Sequence, residues 1–117
     1  KMSDEEIERA IRDAEQYAAE DSFRRDTLTV RGEAQVLLSN VEQALSSAGK
    51  QIEKEEKKRI KEDCKTLQKL ISKAKPEKMT HDDIYAIRSA MQQLDISSAN
   101  VRTVGQYSGL EESQQNQ

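Results

Sequence analysis

MSDEEIERAIRDAEQYAAED, residues 2–21, decides the architecture of this chain. Ser3 followed by Asp4, Glu5 and Glu6 is a capping box. The Ser hydroxyl can accept a backbone N–H of the first turn, and the Glu three residues on can reach back. The three acids also oppose the positive end of the helix dipole. Glu5 with Arg9 and Glu8 with Arg12 set acid before base four residues apart, which supports a helix in water. Along this helix run Ile7, Ala10, Ile11, Ala14, Tyr17 and Ala18, spaced three and four apart as a single apolar stripe. No firm break follows until Gly49. A helix from Ser3 to Ala48 would be roughly 68 Å long at about 1.5 Å per residue. Such a helix outruns one small domain, so part of it must project as an arm.

Downstream, the stripe thins at Glu20-Asp21-Ser22, where a second helix can take over, and resumes with Phe23, Val30, Ala34, Leu37, Leu38, Val41, Leu45 and Ala48. Gly32 lies inside this run. A helix-interior Gly costs about 1 kcal/mol against Ala, and the sequence leaves it open between a tolerated surface residue and a hinge. Gly49 stands where a helix C′ glycine belongs. A third helix starts among Glu53, Glu55 and Glu56, ends among Lys69, Lys73 and Lys75, and carries Ile60, Cys64, Leu67, Leu70, Ile71 and Ala74 on one face. Pro76 interrupts the pattern, and Thr80 with Asp83 caps a fourth helix bearing Ile84, Ile87, Met91, Leu94, Val101 and Val104. Gly105, Gly109 and the Gln/Glu/Ser-rich end read as a fraying tail. The fold expected is all-α. A long N-terminal helical arm (1–33) runs into an antiparallel three-helix bundle (34–105) with a disordered C-terminal tail (106–117).

With 117 residues, 35% charged and 34% hydrophobic, the chain is one small domain with heavily solvated faces. It has no Trp, one Pro and four Gly, which argues against a turn-rich β fold. A net charge of -3 disfavours nucleic acid. No apolar run is long enough to span a membrane, and no signal peptide is visible, so the cytoplasm is the expected compartment. Lys1 is not a natural start, so the chain is expected to be a piece of something longer. Cys64 falls in the core register. His81, beside Asp82 and Asp83, lacks the second His or paired Cys of a metal site and reads as part of a helix cap. The KEEKKRIKED run (54–63) reads as a solvated face of mixed sign. No catalytic, cofactor-binding or metal-binding set emerges, and no enzyme is expected. The bundle cannot readily cover Ile7, Ile11, Tyr17 and Phe23, which form the packing stripe of the arm. An autonomous helical interaction or dimerisation module is one reading of such a surface.

Met2-Ser3-Asp4-Glu5-Glu6-Ile7-Glu8, then Arg12-Asp13-Ala14-Glu15 and Ala19-Glu20-Asp21, resemble the start of the C-terminal lid of the seventy-kilodalton heat-shock chaperones, the DnaK family. Arg31, the Leu37-Leu38 pair and the Gly49 break continue the resemblance in order. It implies the lid of a substrate-binding domain that closes over bound unfolded peptide and slows its release. ATP and Mg would belong to an ATPase domain elsewhere in the longer chain, with no cofactor in this segment. The implied partners are the peptide-binding β-sandwich upstream, unfolded client peptides and co-chaperones, with no nucleic acid and no membrane. Carried over by position, the lid-to-sandwich residues are Gln35, Leu37, Leu38, Ser39 and Glu42. Gln35, Ser39 and Glu42 stand where the family has an acid, a His and an Arg. The segment that flexes in the family matches Arg31, Gly32 and Glu33, which favours the hinge reading of Gly32. Without a sandwich, the isolated chain is expected to self-associate through its first two helices.

Overall fold

The computed structural model describes the backbone of residues 1–115 and the side chains of residues 1–107. Its order is α1 (Asp4–Ala48), a 3-10 turn (Gly49–Gln51), α2 (Lys54–Lys73), a second 3-10 turn (Pro76–Lys78), α3 (His81–Ser97) and α4 (Ala99–Gln115). No strand occurs among the described residues. The molecule measures 76 × 32 × 19 Å, and the long dimension is that of α1.

α1 is one uninterrupted helix of 45 residues, with no handover at Glu20-Asp21-Ser22. Ser3 caps it, its hydroxyl accepting from the Glu6 N–H at 3.2 Å, and Asp4, Glu5 and Glu6 fill the first turn. The helix stops at Gly49, whose φ of 52° is a left-handed value that favours glycine, and whose N–H donates to the Leu45 carbonyl. α2 follows Glu53 at its cap position, with no side-chain cap. α3 begins with a full capping box: Asp83 N–H donates to Thr80 Oγ1 at 3.1 Å, and Thr80 N–H to Asp83 Oδ2 at 2.9 Å.

The second half of α1 forms the bundle with α2, α3 and α4. Arg31 meets the end of α2, while Glu42 accepts from Gln68 Nε2 at 3.2 Å, so α2 runs antiparallel to α1. The Phe23 ring lies 4.4 Å from His81 at the start of α3, and Glu33 lies 4.0 Å from Arg88 further along it, so α3 runs with α1. The core gathers Val30, Ala34, Leu38, Val41, Ala44 and Ala48 of α1 with Ile60, Cys64, Leu67 and Ile71 of α2. Ile87 and Leu94 of α3, Val101 of α4, and Ile52, Ala74 and Met79 of the connecting segments complete it. Burial pushes the Cys64 thiol up from its usual range, with the Glu42 and Asp63 carboxylates adding to the shift, so it stays protonated as a packing residue.

Two boundaries differ from the sequence reading. The buried part of α1 begins at Thr27 and Val30, not at Ala34, and Phe23 already touches the bundle through His81. The free arm is therefore shorter than 1–33. The expected fourth helix is two, divided at Ser98. Ser98 is fully buried and Arg102 staples the junction, donating to Ser98 Oγ at 3.2 Å and to Asp95 Oδ1 and the Asp95 carbonyl at 2.8 Å.

Gly105 does not open a tail. It is buried inside α4, and a Cβ there would sit 3.2 Å from the Cα and carbonyl oxygen of Ala44. The missing side chain lets α4 approach the backbone of α1. The polar tail expected over 106–117 falls largely outside the described side chains, and the α4 backbone runs to Gln115.

Candidate interaction surface on the first helix

An α-helix turns about 100° per residue. Thr27, Val30, Ala34, Leu38, Val41, Ala44 and Ala48 point into the bundle. Carrying the same rotation towards the N-terminus puts Phe23 on the bundle side. Ile7, Ile11, Ala14 and Ala18 fall roughly opposite. Leu28, Gly32 and Val36 fall on that opposite face too, although they lie within the bundle's length. α1 therefore has two faces carrying apolar residues and pointing apart, one buried and one open. The open one runs roughly 44 Å from Ile7 to Val36 in two apolar stretches, 7–18 and 28–36, separated by the exposed ion pair of Asp21 and Arg25.

The open face is uncovered along its length: Ile7 is 43% exposed, Ile11 52%, Tyr17 71%, Leu28 59% and Val36 60%. Exposed large apolar residues that recur along one helix face, even with an ion pair between them, are the surface expected of an interaction site. Acids line both margins, with Asp4, Glu8 and Glu15 on one side and Glu6 and Asp13 on the other.

The positions singled out from sequence separate across these two faces. Ile7, Ile11 and Tyr17 lie on the open face or its edge; Phe23 packs on His81 and is not part of it. Gln35 and Ser39 are exposed at the margin of the open face, and Glu42, also exposed, is turned towards α2 by Gln68. Leu38 is a correction. It is 8% exposed and belongs to the bundle core, and Leu37 packs against that core, because the two flank the direction of Ala34 and Val41 by about 40° on either side. Leu28 and Val36 take their place as the outward apolar residues. Their signal was present in the sequence as 28–32–36, four residues apart on the same side as Ile11.

Arg31, Gly32 and Glu33 lie in regular helix. Arg31 Nη1 donates to the Ile71 carbonyl at 2.8 Å and also to the Ala74 carbonyl, filling acceptors that the end of α2 leaves open. Glu33 pairs with Arg88 across to α3. Gly32 has open space where a Cβ would stand. Gly32→Ala is accordingly expected to stabilise the chain by roughly 0.5–1 kcal/mol, read as a raised urea midpoint at unchanged slope. An unchanged or lowered midpoint would show that the glycine is needed for the native backbone.

Among the described residues no group of His, Cys, Asp and Glu converges to hold a metal ion, and no helix is long and apolar enough to cross a membrane.

Residues 1–103 match the Hsp70 protein family, which covers the arm and nearly all of the bundle. The chain belongs to the Hsp70 family. Among curated Hsp70 relatives, it is 38% identical over 77 residues to the chaperone protein DnaK of Thermoplasma acidophilum, a match covering 66% of this chain and 13% of the relative. It is 39% identical over 71 residues to the chaperone protein DnaK of Thermoplasma volcanium, covering 61% and 12%. The chain thus spans about an eighth of the length of these relatives. No solved structure gives a significant match.

Proposed function

We propose that this Hsp70-family segment is a lid that closes over peptide held by a β-sandwich lying upstream in the longer chain, and that it slows peptide release. The observation that carries the reading is the open apolar face of α1, directed away from the bundle. A helix that spends one face on its own bundle and leaves another uncovered for roughly 44 Å is built to lie on a second body. The bundle then sits behind the helix, out of the contact. In this reading the segment performs no chemistry. ATP and Mg act in the ATPase domain, and client peptides and co-chaperones engage the whole cytoplasmic chaperone.

The acidic margins favour that partner over a parallel second copy. Two α1 faces laid together in parallel set the acids of one arm against the acids of the other, which is destabilising. Gln35 and Ser39 at the margin, and Glu42 beside them, would border the contact with hydrogen bonds in place of an ion-pair latch. Gly32, at the centre of the open face, is the weak point where the arm could bend, while Arg31 and Glu33 hold their side of it to the bundle.

The test uses the full chaperone with and without residues 1–117. Removing the segment is expected to speed release of a labelled peptide at least roughly tenfold, equivalent to about 1.4 kcal/mol off the barrier. Unchanged release, followed by stopped-flow fluorescence, would sink the lid reading.

A further inference from the structure

The lysine-rich start of α2 is mixed in sign along the sequence, but folding sorts the signs. Lys54, Lys57, Lys58, Lys61 and Lys65 stand at intervals of three and four and share one face of α2. Glu56 and Asp63, with Arg59, turn instead towards Gln93 and Asn100 of α3 and α4, where Glu56 accepts from Asn100 Nδ2 at 3.1 Å. The lysine face keeps only Glu62 at its edge. Among the described residues none of these five lysine ammonium groups has a hydrogen-bond or ion-pair partner. Lys54 with Lys58, Lys57 with Lys61, and Lys61 with Lys65 are like-charge pairs four apart, an arrangement that destabilises a helix and that Glu53, four before Lys57, and Glu62, four after Lys58, offset only in part.

Beside the stripe lies a groove between α1 and α2. Lys57 and Lys61 form its rim, and Leu45, Ser46 and Cys64 lie along it, with Glu42 at its far end bonded to Gln68. We propose that this lysine face, with its groove, docks an acidic polypeptide segment of a partner protein. The five lysines extend about 17 Å along α2, the reach of roughly five residues of extended chain. A peptide carrying carboxylates would meet the lysines, and its interspersed apolar side chains would meet the groove. Nucleic acid fits less well: the chain is net negative at -3, and no aromatic residue stands in the stripe for a base to stack on. The inference is independent of the lid reading, because it uses a different helix and face.

The experiment titrates the chain with a fluorescent decaglutamate peptide while amide resonances are followed by NMR. Saturable binding is expected, with shifts confined to Lys54–Lys65 and the groove, weakening at least tenfold in Lys61→Glu/Lys65→Glu. Arg24→Glu/Lys78→Glu, which makes the same charge change at exposed positions elsewhere, should bind as the parent does. Both variants are checked for helicity by circular dichroism. The proposal is overturned if no saturable binding is seen, or if both variants lose affinity equally. It is also overturned if phosphatidylserine vesicles or single-stranded DNA bind this face more tightly than the peptide.

Discussion

Replacing Leu38 by aspartate is expected to unfold the bundle, whereas Val36→Asp, two residues away, should leave it folded and loosen the docking of α1. Leu38 is 8% exposed among Ala34, Val41 and the facing core, and Val36 is 60% exposed on the opposite side of the same helix. At Leu38 the substitution removes a buried leucine, worth roughly 2–5 kcal/mol, and adds a carboxylate with no partner to compensate its burial. Domains of this kind have about 5–15 kcal/mol in total, so the loss takes most of the margin. At Val36 the new carboxylate is solvated and stability should change by about 0.5 kcal/mol or less. In the full chaperone it would nevertheless place a charge in the apolar contact proposed for α1, and peptide release should become faster. Circular dichroism of the two variants separates the faces. A folded Leu38→Asp protein, or an unfolded Val36→Asp protein, would mean that the two faces of α1 have been exchanged.

The second large effect is expected at Arg31. Its guanidinium donates to the carbonyls of Ile71 and Ala74, where α2 has ended and its last acceptors lack helical partners. The positive charge also faces the negative end of the α2 dipole. Charge-assisted hydrogen bonds of this kind contribute roughly 1.5–3 kcal/mol, and Arg31→Ala should destabilise the chain by about that amount. The damage should be local before it is global, with amides of the last turn of α2 exchanging faster with solvent than those of its middle. Arg31→Lys retains the charge and is expected to recover part of the loss. If Arg31→Ala leaves both the urea midpoint and the exchange of residues 70–74 unchanged, the clasp contributes nothing.

Legibility in the sequence followed the range of the interaction. Ser3, Gly49, Pro76 and the Thr80–Asp83 box act within a few residues, so the helix ends they set were readable. The i, i+3, i+4 spacing gave the all-α class and nearly every core residue. What stayed hidden depends on contacts between distant parts of the chain. The division at Ser98 has no glycine or proline to announce it and is secured by packing and by Arg102. Gly105 looked like the start of a tail because its neighbour, Ala44, is far away in sequence. The Leu37-Leu38 pair was read through its resemblance to a family contact, although its register with Ala34 and Val41 already pointed inward. The lysine face of α2 was present in the 54–57–58–61–65 spacing but was masked by the mixed signs of the run, and the structure adds that Glu56 is held by Asn100 of α4.

The unbroken length of α1 has a mechanical consequence. A rod roughly 68 Å long, carrying a bundle along its C-terminal half, would act as a lever if it pivoted at its free N-terminal end. A tilt of about 10° at Ser3 would carry Ala48, and the bundle with it, through roughly 12 Å. A jointed arm would dissipate that rotation at the joint, whereas a helix that stays straight through Gly32 transmits it. Small changes in seating at the thin end would therefore arrive as large displacements at the heavy end.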